Sequence, residues 1–281
     1  MLTLNTHPNT LCLPINRLLS KLYTSFLISL LVVLAGSCQP KKQSPTATAA
    51  ASRLLQLPVG EKILSKNRRF VYRVRWYAPK ATSVMVDTVT LTASGEPCSY
   101  EATQMCFVWT YQADSAVNST PRENVGAIEN KEGFWLHPPR RGHYRILELN
   151  PFPHIKLPAV SGRTWEWEVY PPDMYADSAW ASWKGIFRVK FRYTLSGIKQ
   201  LTTPLGSLSC QRVQASGSSK LGTTALEAYF HPAYGFVRLN YRNIDSSRVQ
   251  LEMVAVNVQP ESNEKALEPM FWQPFSLQQP K

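Results

Sequence analysis

Catalytic signatures are what this sequence of 281 residues most clearly lacks. It has no H-E-x-x-H pair, no G-x-S-x-G elbow, no phosphate-cradling glycine loop and no dinucleotide fingerprint. Ser196 and Lys199 in "SGIK" meet S-x-x-K formally. That chemistry needs both side chains one turn apart on a helix, and this stretch reads as a turn between strands. Glu166 and Glu168 lie two apart on one strand face, so their carboxylates point together into solvent, not across a cleft as a glycosidase pair must. No C-x-x-C pair or Cys/His ligand spacing is present, which removes the usual zinc frameworks. No metal or cofactor is therefore expected, and an enzymatic reading has no nucleophile–base pair to stand on.

Acidic residues are also scarce: 19 Asp and Glu against 31 Lys and Arg, a net charge of +12. An excess of base suggests nucleic acid, anionic lipid or an anionic glycan. Nucleic-acid binders concentrate such charge in runs or on one helix face. Here it is spread, from Lys62 to Arg69, Arg140 to Arg145 and Lys184 to Arg192. Nucleic acid is set aside.

No acidic residue precedes Glu61, and the N-terminus reads as a leader. Arg17 and Lys21 form a positive region ahead of "LYTSFLISLLVVLA", residues 22–35. That apolar run is shorter than the ~20 residues a spanning helix needs. "LAGSC" follows and resembles the bacterial lipobox, with Ala35 where leucine is usual and Gly36 and Ser37 in the small-residue slots. The expectation is a signal peptide over 1–37, lipidation of Cys38 and a tether over 38–57. The polar, Ala/Thr/Ser-rich "QPKKQSPTATAAAS" supplies most of that tether. Gln39 after the cysteine resembles the outer-membrane sorting pattern of Gram-negative cells. The expected location is the cell envelope, bound to the membrane through the N-terminal lipid.

Three cysteines remain in the body. Cys98 and Cys106 bracket "CSYEATQMC" between strand-like segments. They either pair, which in an oxidising compartment would stabilise by ~2.5 kcal/mol in the chain-entropy model, or stay as two reduced thiols. Cys210 is expected as a small core residue.

Helical periodicity is missing as well. From Arg68 onward the period is two: Phe70, Tyr72, Val74 and Trp76 share a face in "RRFVYRVRWY", and Phe187, Val189, Phe191, Tyr193 and Leu195 alternate with charge in "GIFRVKFRYTL". Other strands are read at "SVMVDTVTLTA", "MCFVWTYQ", "RTWEWEVY", "SLSCQRVQ", "TALEAYFH", "GFVRLNYR" and "SRVQLEMVAVNV", with turns at "SGIK", "HPAYG" and "NIDSS". The best helix candidate, "DMYADSAWASWKG", holds one or two turns at most. The fold expected is all-β: a single antiparallel β-sandwich or curved open-barrel domain over 58–258, followed by a Pro-rich tail over 259–281, with Phe271 and Trp272 able to dock on the body.

The densest polar cluster is "FWLHPPRRGHYRILELNPFPH", residues 134–154. Its histidines are unevenly spaced, and the pair Arg140-Arg141 would oppose a bound cation. Pro138, Pro139 and Gly142 bound a turn, and "HYRILELN" reads as one strand. The reading is a basic, aromatic-flanked loop. If any surface meets a partner, it is Trp135, His137, Arg140, Arg141, His143 and Arg145. Arginine suits bidentate capture of carboxylate or phosphate, so the partners expected are an envelope protein, an anionic glycan or a lipid.

The stretches "GIKQLTTPLGSLSCQRVQA" and "LEAYFHPAYGFVRLNY" carry Thr203, Pro204, Gly206 and Cys210, then Tyr229, Phe230, Pro232, Tyr234, Gly235 and Val237. This pattern resembles a group of uncharacterised envelope β-proteins. The resemblance covers about 184–256 and implies a strongly curved antiparallel sheet, with no activity to carry over. Three Asp-(Ser/Thr)-apolar triplets, at Asp87, Asp114 and Asp177, resemble bacterial O-glycosylation sites and mark Ser115 and Ser178 for modification. The function expected is a non-enzymatic envelope lipoprotein that binds or scaffolds; the alternative is a carrier of a lipid or other apolar ligand inside a curved sheet.

Overall fold

The computed structural model describes residues 62–79, 83–111 and 121–258. Cys38, the leader, the tether, Ser115 and the C-terminal tail all lie outside these residues. Every described residue belongs to one compact unit, 47–281.

The period-two stretches form one antiparallel sheet of twelve strands, curled into a half-barrel. The first half comprises β1 (Arg68–Tyr77), β2 (Val84–Cys98), β3 (Glu101–Tyr111), β4 (Arg122–Asn130), β5 (Gly133–Leu136) and β6 (His154–Lys156). The second comprises β7 (Thr164–Val169), β8 (Val189–Thr203), β9 (Gly206–Ser219), β10 (Gly222–His231), β11 (Gly235–Arg242) and β12 (Arg248–Val258). Their spatial order is 6-5-4-3-2-1-12-11-10-9-8-7. Each strand thus lies beside its sequence neighbour, except where β1 meets β12 and where β6 and β7 form the two edges. The curved-barrel expectation holds, and a sandwich of two sheets is not what forms.

Alternation explains which side is the core. In β1, Phe70, Tyr72 and Val74 are buried on the concave face, while Arg73 faces out. Trp109 and Phe107 of β3, Phe191 and Tyr193 of β8, and Leu239 and Tyr241 of β11 join them. Tyr72 lies within the core and donates its hydroxyl to the Phe236 carbonyl, 2.9 Å away, which satisfies a polar group that would otherwise be costly there. The edges are guarded in two ways. β6 is only three residues long, and β7 is flanked by ion pairs from Glu166 to Arg192 of β8 and from Glu168 to Arg188 just before it.

The chain enters and leaves at one end of the sheet, the near rim, where β1 starts and β12 ends. At this rim the backbone N–H groups of Ile63 and Leu64 donate to the Glu129 carboxylate at 2.5 and 2.8 Å, folding these two side chains under the sheet. "SGIK" is not a turn. It lies inside β8, where the register shifts between Leu195 and Ile198 and Gly197 takes a φ of +87°, a value that glycine adopts without strain. The strand runs on to a tight turn at Pro204–Leu205, closed by the Thr203 hydroxyl donating to the Gly206 carbonyl at 2.8 Å. The extended β8–β9 hairpin reaches the convex face of β11, where Arg238 donates to the Thr202 carbonyl at 3.0 Å. Cys210 is buried there, as expected of it, and its thiol is pushed up to about 11 by burial. Glu252 is also almost fully buried, held between Arg238 and Arg75. Cys98 and Cys106 are joined by a disulfide across the β2–β3 hairpin.

Candidate functional site

The stretch that sequence reading singled out does not sit on the outside. β5 is buried on both faces. After it the chain turns into the concave side, forms a 3₁₀ helix over Gly142–Leu149 where a strand was read, and returns through Asn150–Pro153 to β6. Tyr144, Ile146, Leu147 and Leu149 of the helix join the core. Prolines at 138, 139, 151 and 153 bracket the helix and keep its flanks extended.

This insert ties together strands from both halves of the sheet. Trp109 of β3 donates its indole N–H to the His137 carbonyl at 3.0 Å. Tyr144 donates to Asp87 of β2 at 2.7 Å. On the other side, the Thr224 hydroxyl of β10 donates to the Leu149 carbonyl at 3.0 Å, and Tyr193 of β8 donates to the Phe152 carbonyl at 3.1 Å. Asn150, fully buried, donates to the side chain of Asn243 at 2.8 Å. With Ile63 and Leu64 at the near rim, the insert fills the concavity. A hollow between Leu64, Phe70, Tyr72, Phe134 and Phe236 offers about 10 Å³, roughly the space of one water molecule.

A polar cluster lies where the insert begins, buried at Tyr111 and Glu148 and half-buried at Glu123, His137 and Arg140. Arg140 donates through Nε to Glu123 Oε1 at 3.0 Å, and its backbone N–H reaches the Tyr111 hydroxyl at 3.1 Å. Tyr111 in turn donates to Glu123 Oε2 at 2.5 Å. His137 has Nδ1 2.9 Å from the Pro138 carbonyl, which can only accept, so Nδ1 carries the proton. Nε2 then presents its lone pair to Arg140 Nη1 at 3.3 Å and to Glu148 Oε1 at 3.4 Å. Burial pushes His137 down to about 3 and Glu148 up to about 8. A neutral imidazole facing a protonated carboxyl is consistent with both directions, and Glu148 Oε1 has no hydrogen-bond partner of its own. The cluster is suited to fixing the insert in place. No group of three or more His, Cys, Asp or Glu among the described residues could hold a metal.

The six residues expected at a contact surface are therefore divided. Trp135 is buried, its ring 5.2 Å from Trp167 and 6.1 Å from Phe152. His137 and Arg140 belong to the interior cluster. Arg145 joins the insert to the loop before β8, donating to Asp177 at 2.8 Å and to the Met174 carbonyl at 3.2 Å while lying over the Trp180 ring. Arg141 and His143 alone are exposed, and His143 packs edge-on to Trp76 at 5.1 Å. His154, the third histidine of the stretch, accepts from the Trp165 indole at 3.2 Å across the gap between β6 and β7. Sequence reading missed Glu123, Tyr111 and Glu148. β4 has little alternation to mark it, and the carboxylates gain meaning only once Arg140 turns inward.

No family model matches this sequence, and no curated protein does. Among solved structures, a candidate lipoprotein from Parabacteroides distasonis aligns with a TM-score of 0.41 at 12% identity, over 69% of this chain and 96% of that one. A candidate exported protein with a YmcC-like fold from Bacteroides fragilis gives 0.37 at 13% identity, over 69% and 96%. The hypothetical lipoprotein YmcC of Escherichia coli gives 0.33 at 12%, over 75% and 97%. At these scores neither a fold family nor a function passes to this chain.

Proposed function

We propose that the chain is a lipid-anchored envelope protein, acylated at Cys38 and held at the outer membrane, whose β body binds or scaffolds through its exterior. The filled concavity is the observation that carries the second half of this reading. A carrier needs an empty apolar interior, and here residues 137–153 occupy it with their own side chains. The disulfide suits an oxidising compartment, and the lipobox-like "LAGSC" supplies the anchor. Two or three acyl chains, at ~0.8 kcal/mol per buried CH₂, make an effectively permanent attachment. Replacing Cys38 with alanine and fractionating the cells tests it: the protein should leave the membrane pellet, and retention there would refute the anchor.

The carrier reading keeps one observation in its favour. β6 and β7 meet through side chains, with no backbone ladder between them among the described residues. If the insert swung out through that seam, an aromatic-lined half-barrel would open. Native mass spectrometry of the purified protein separates the two: a co-purifying lipid in the body supports the carrier, and the bare polypeptide mass with only its N-terminal modification supports the scaffold.

A further inference from the structure

The end of the sheet opposite the near rim carries an unusual surface. β1, β7, β9 and β11 finish at this far rim, and β2, β8, β10 and β12 begin there. In the loop between β7 and β8, Tyr170 is 53% exposed, Met174 52% and Ile186 63%. Asp173 accepts from the Gly185 backbone N–H at 2.9 Å, which brings the Met174 and Ile186 ends of this loop together. Cations adjoin these apolar tips. Lys184 is exposed two residues before Ile186, and Lys220 of the β9–β10 turn lies 5.2 Å over the ring of Phe187. Neither lysine forms an ion pair among the described residues.

The same rim repeats the combination at the other side of β12. Val84 and Val86 are 42% and 61% exposed on β2. Nearby, Arg242 and Arg248 are exposed and directly opposed in register, with Arg248 over the Tyr77 ring. Like charges placed directly opposite each other are destabilising, so the sheet retains here a pair that folding alone disfavours. Asp245 in the adjoining turn is occupied by the backbone N–H and hydroxyl of Ser247.

We infer that the far rim is an interfacial docking surface for an anionic lipid bilayer, with Tyr170, Met174 and Ile186 entering the headgroup–acyl boundary and Lys184 and Lys220 facing lipid phosphates. Exposed aliphatic tips beside unpaired cations are what such an interface rewards. A glycan would use the cations and leave the aliphatic tips in water, which is why lipid is the better fit. The inference goes beyond the proposed lipid anchor at Cys38 and does not depend on it.

The test uses the full chain isolated from cells and mixed with vesicles of phosphatidylcholine alone or with added phosphatidylglycerol. Amide hydrogen exchange is then read over 170–188. Slower exchange there on the anionic vesicles only, reversed by high salt, is the expected result. Lys184→Ala and Lys220→Ala should each weaken it about fivefold, and Ile186→Ser should remove most of it. Equal exchange on both vesicle types with the protein still bound to both overturns the docking surface and leaves the anchor standing. Protection on anionic vesicles with no binding to neutral ones supports the surface and counts against the anchor. No binding to either refutes both. Protection seen only with an added envelope protein or glycan assigns the rim to that partner and overturns the lipid assignment.

Discussion

β1 and β12 stand far apart in sequence and share a ladder running from Arg68↔Val258 to Tyr77↔Arg248. β6 and β7 are consecutive, share no backbone ladder, and meet where His154 faces Trp165 and Trp167. At these two places alone, proximity along the chain is the opposite of bonding in the sheet. One junction is main-chain hydrogen bonding backed by a continuous core. The other is a seam of rings, in which aromatic contacts add ~0.5–1.5 kcal/mol each beyond the area they bury. The molecule has one junction that should open only with global unfolding and one that can open by itself.

Four perturbations sharpen that contrast, beginning with the largest. Tyr72→Ala removes a buried ring on β1 and strands the Phe236 carbonyl. It should cost about 4–6 kcal/mol, with all strands lost together in urea denaturation. Trp165→Ala removes the ring stacked on Tyr193 at 5.2 Å and the donor to His154. It should cost about 3–4 kcal/mol, with faster amide exchange first at β6 and β7 and later elsewhere. Equal loss of protection at β12 would show that the two junctions do not differ.

Glu148→Gln tests the insert that bridges the two halves. In the folded protein this carboxyl titrates near 8, against 4.5 when unperturbed. Between those values the folded state holds a proton that the unfolded state has released. Its contribution is fully present below 4.5 and is lost as pH rises through 8. The glutamine variant should therefore keep stability that the wild type loses between pH 4.5 and 8, and urea midpoints across that range would show the two curves diverging. Arg192→Ala sets the lower bound. Its pair with Glu166 is largely exposed on the guarded edge, so the change should stay below about 0.5 kcal/mol in the same titration.

Alternation made most of the sheet legible. β1 coincides with "RRFVYRVRWY", and β8 contains most of "GIFRVKFRYTL". What alternation cannot mark is a strand covered on both sides. β5 is wholly buried because the sheet curls over it and the insert lies close by, so "GFWL" has no polar face to show. The 3₁₀ helix was misread for a related reason. Tyr144 and Ile146 alternate with charge as in a strand, yet Leu147, Glu148 and Leu149 are buried too, since the last turn of the segment lies inside a concavity and is covered all round. The helix candidate "DMYADSAWASWKG" reduces to a 3₁₀ turn at Asp173–Tyr175 and an isolated bridge between Asp177 and Ala181. At the candidate site, residue types pointed to the right segment and gave the wrong side of the sheet. An arginine beside prolines reads as exposed until Glu123 and Tyr111, distant in sequence, are known to face it.

The junction of β1 with β12 also sets the order in which the body can be completed. During synthesis β1 emerges first and gains β2 early, but its other edge has no partner until the final strand has been made. Contacts of such long sequence separation form late and slowly, so the centre of the sheet is the last part to close. A nascent chain halted anywhere before Arg248 exposes an open edge at the heart of the barrel. The period of greatest vulnerability to aggregation or proteolysis thus extends to the last moments of synthesis, and the finishing strand serves as the lock.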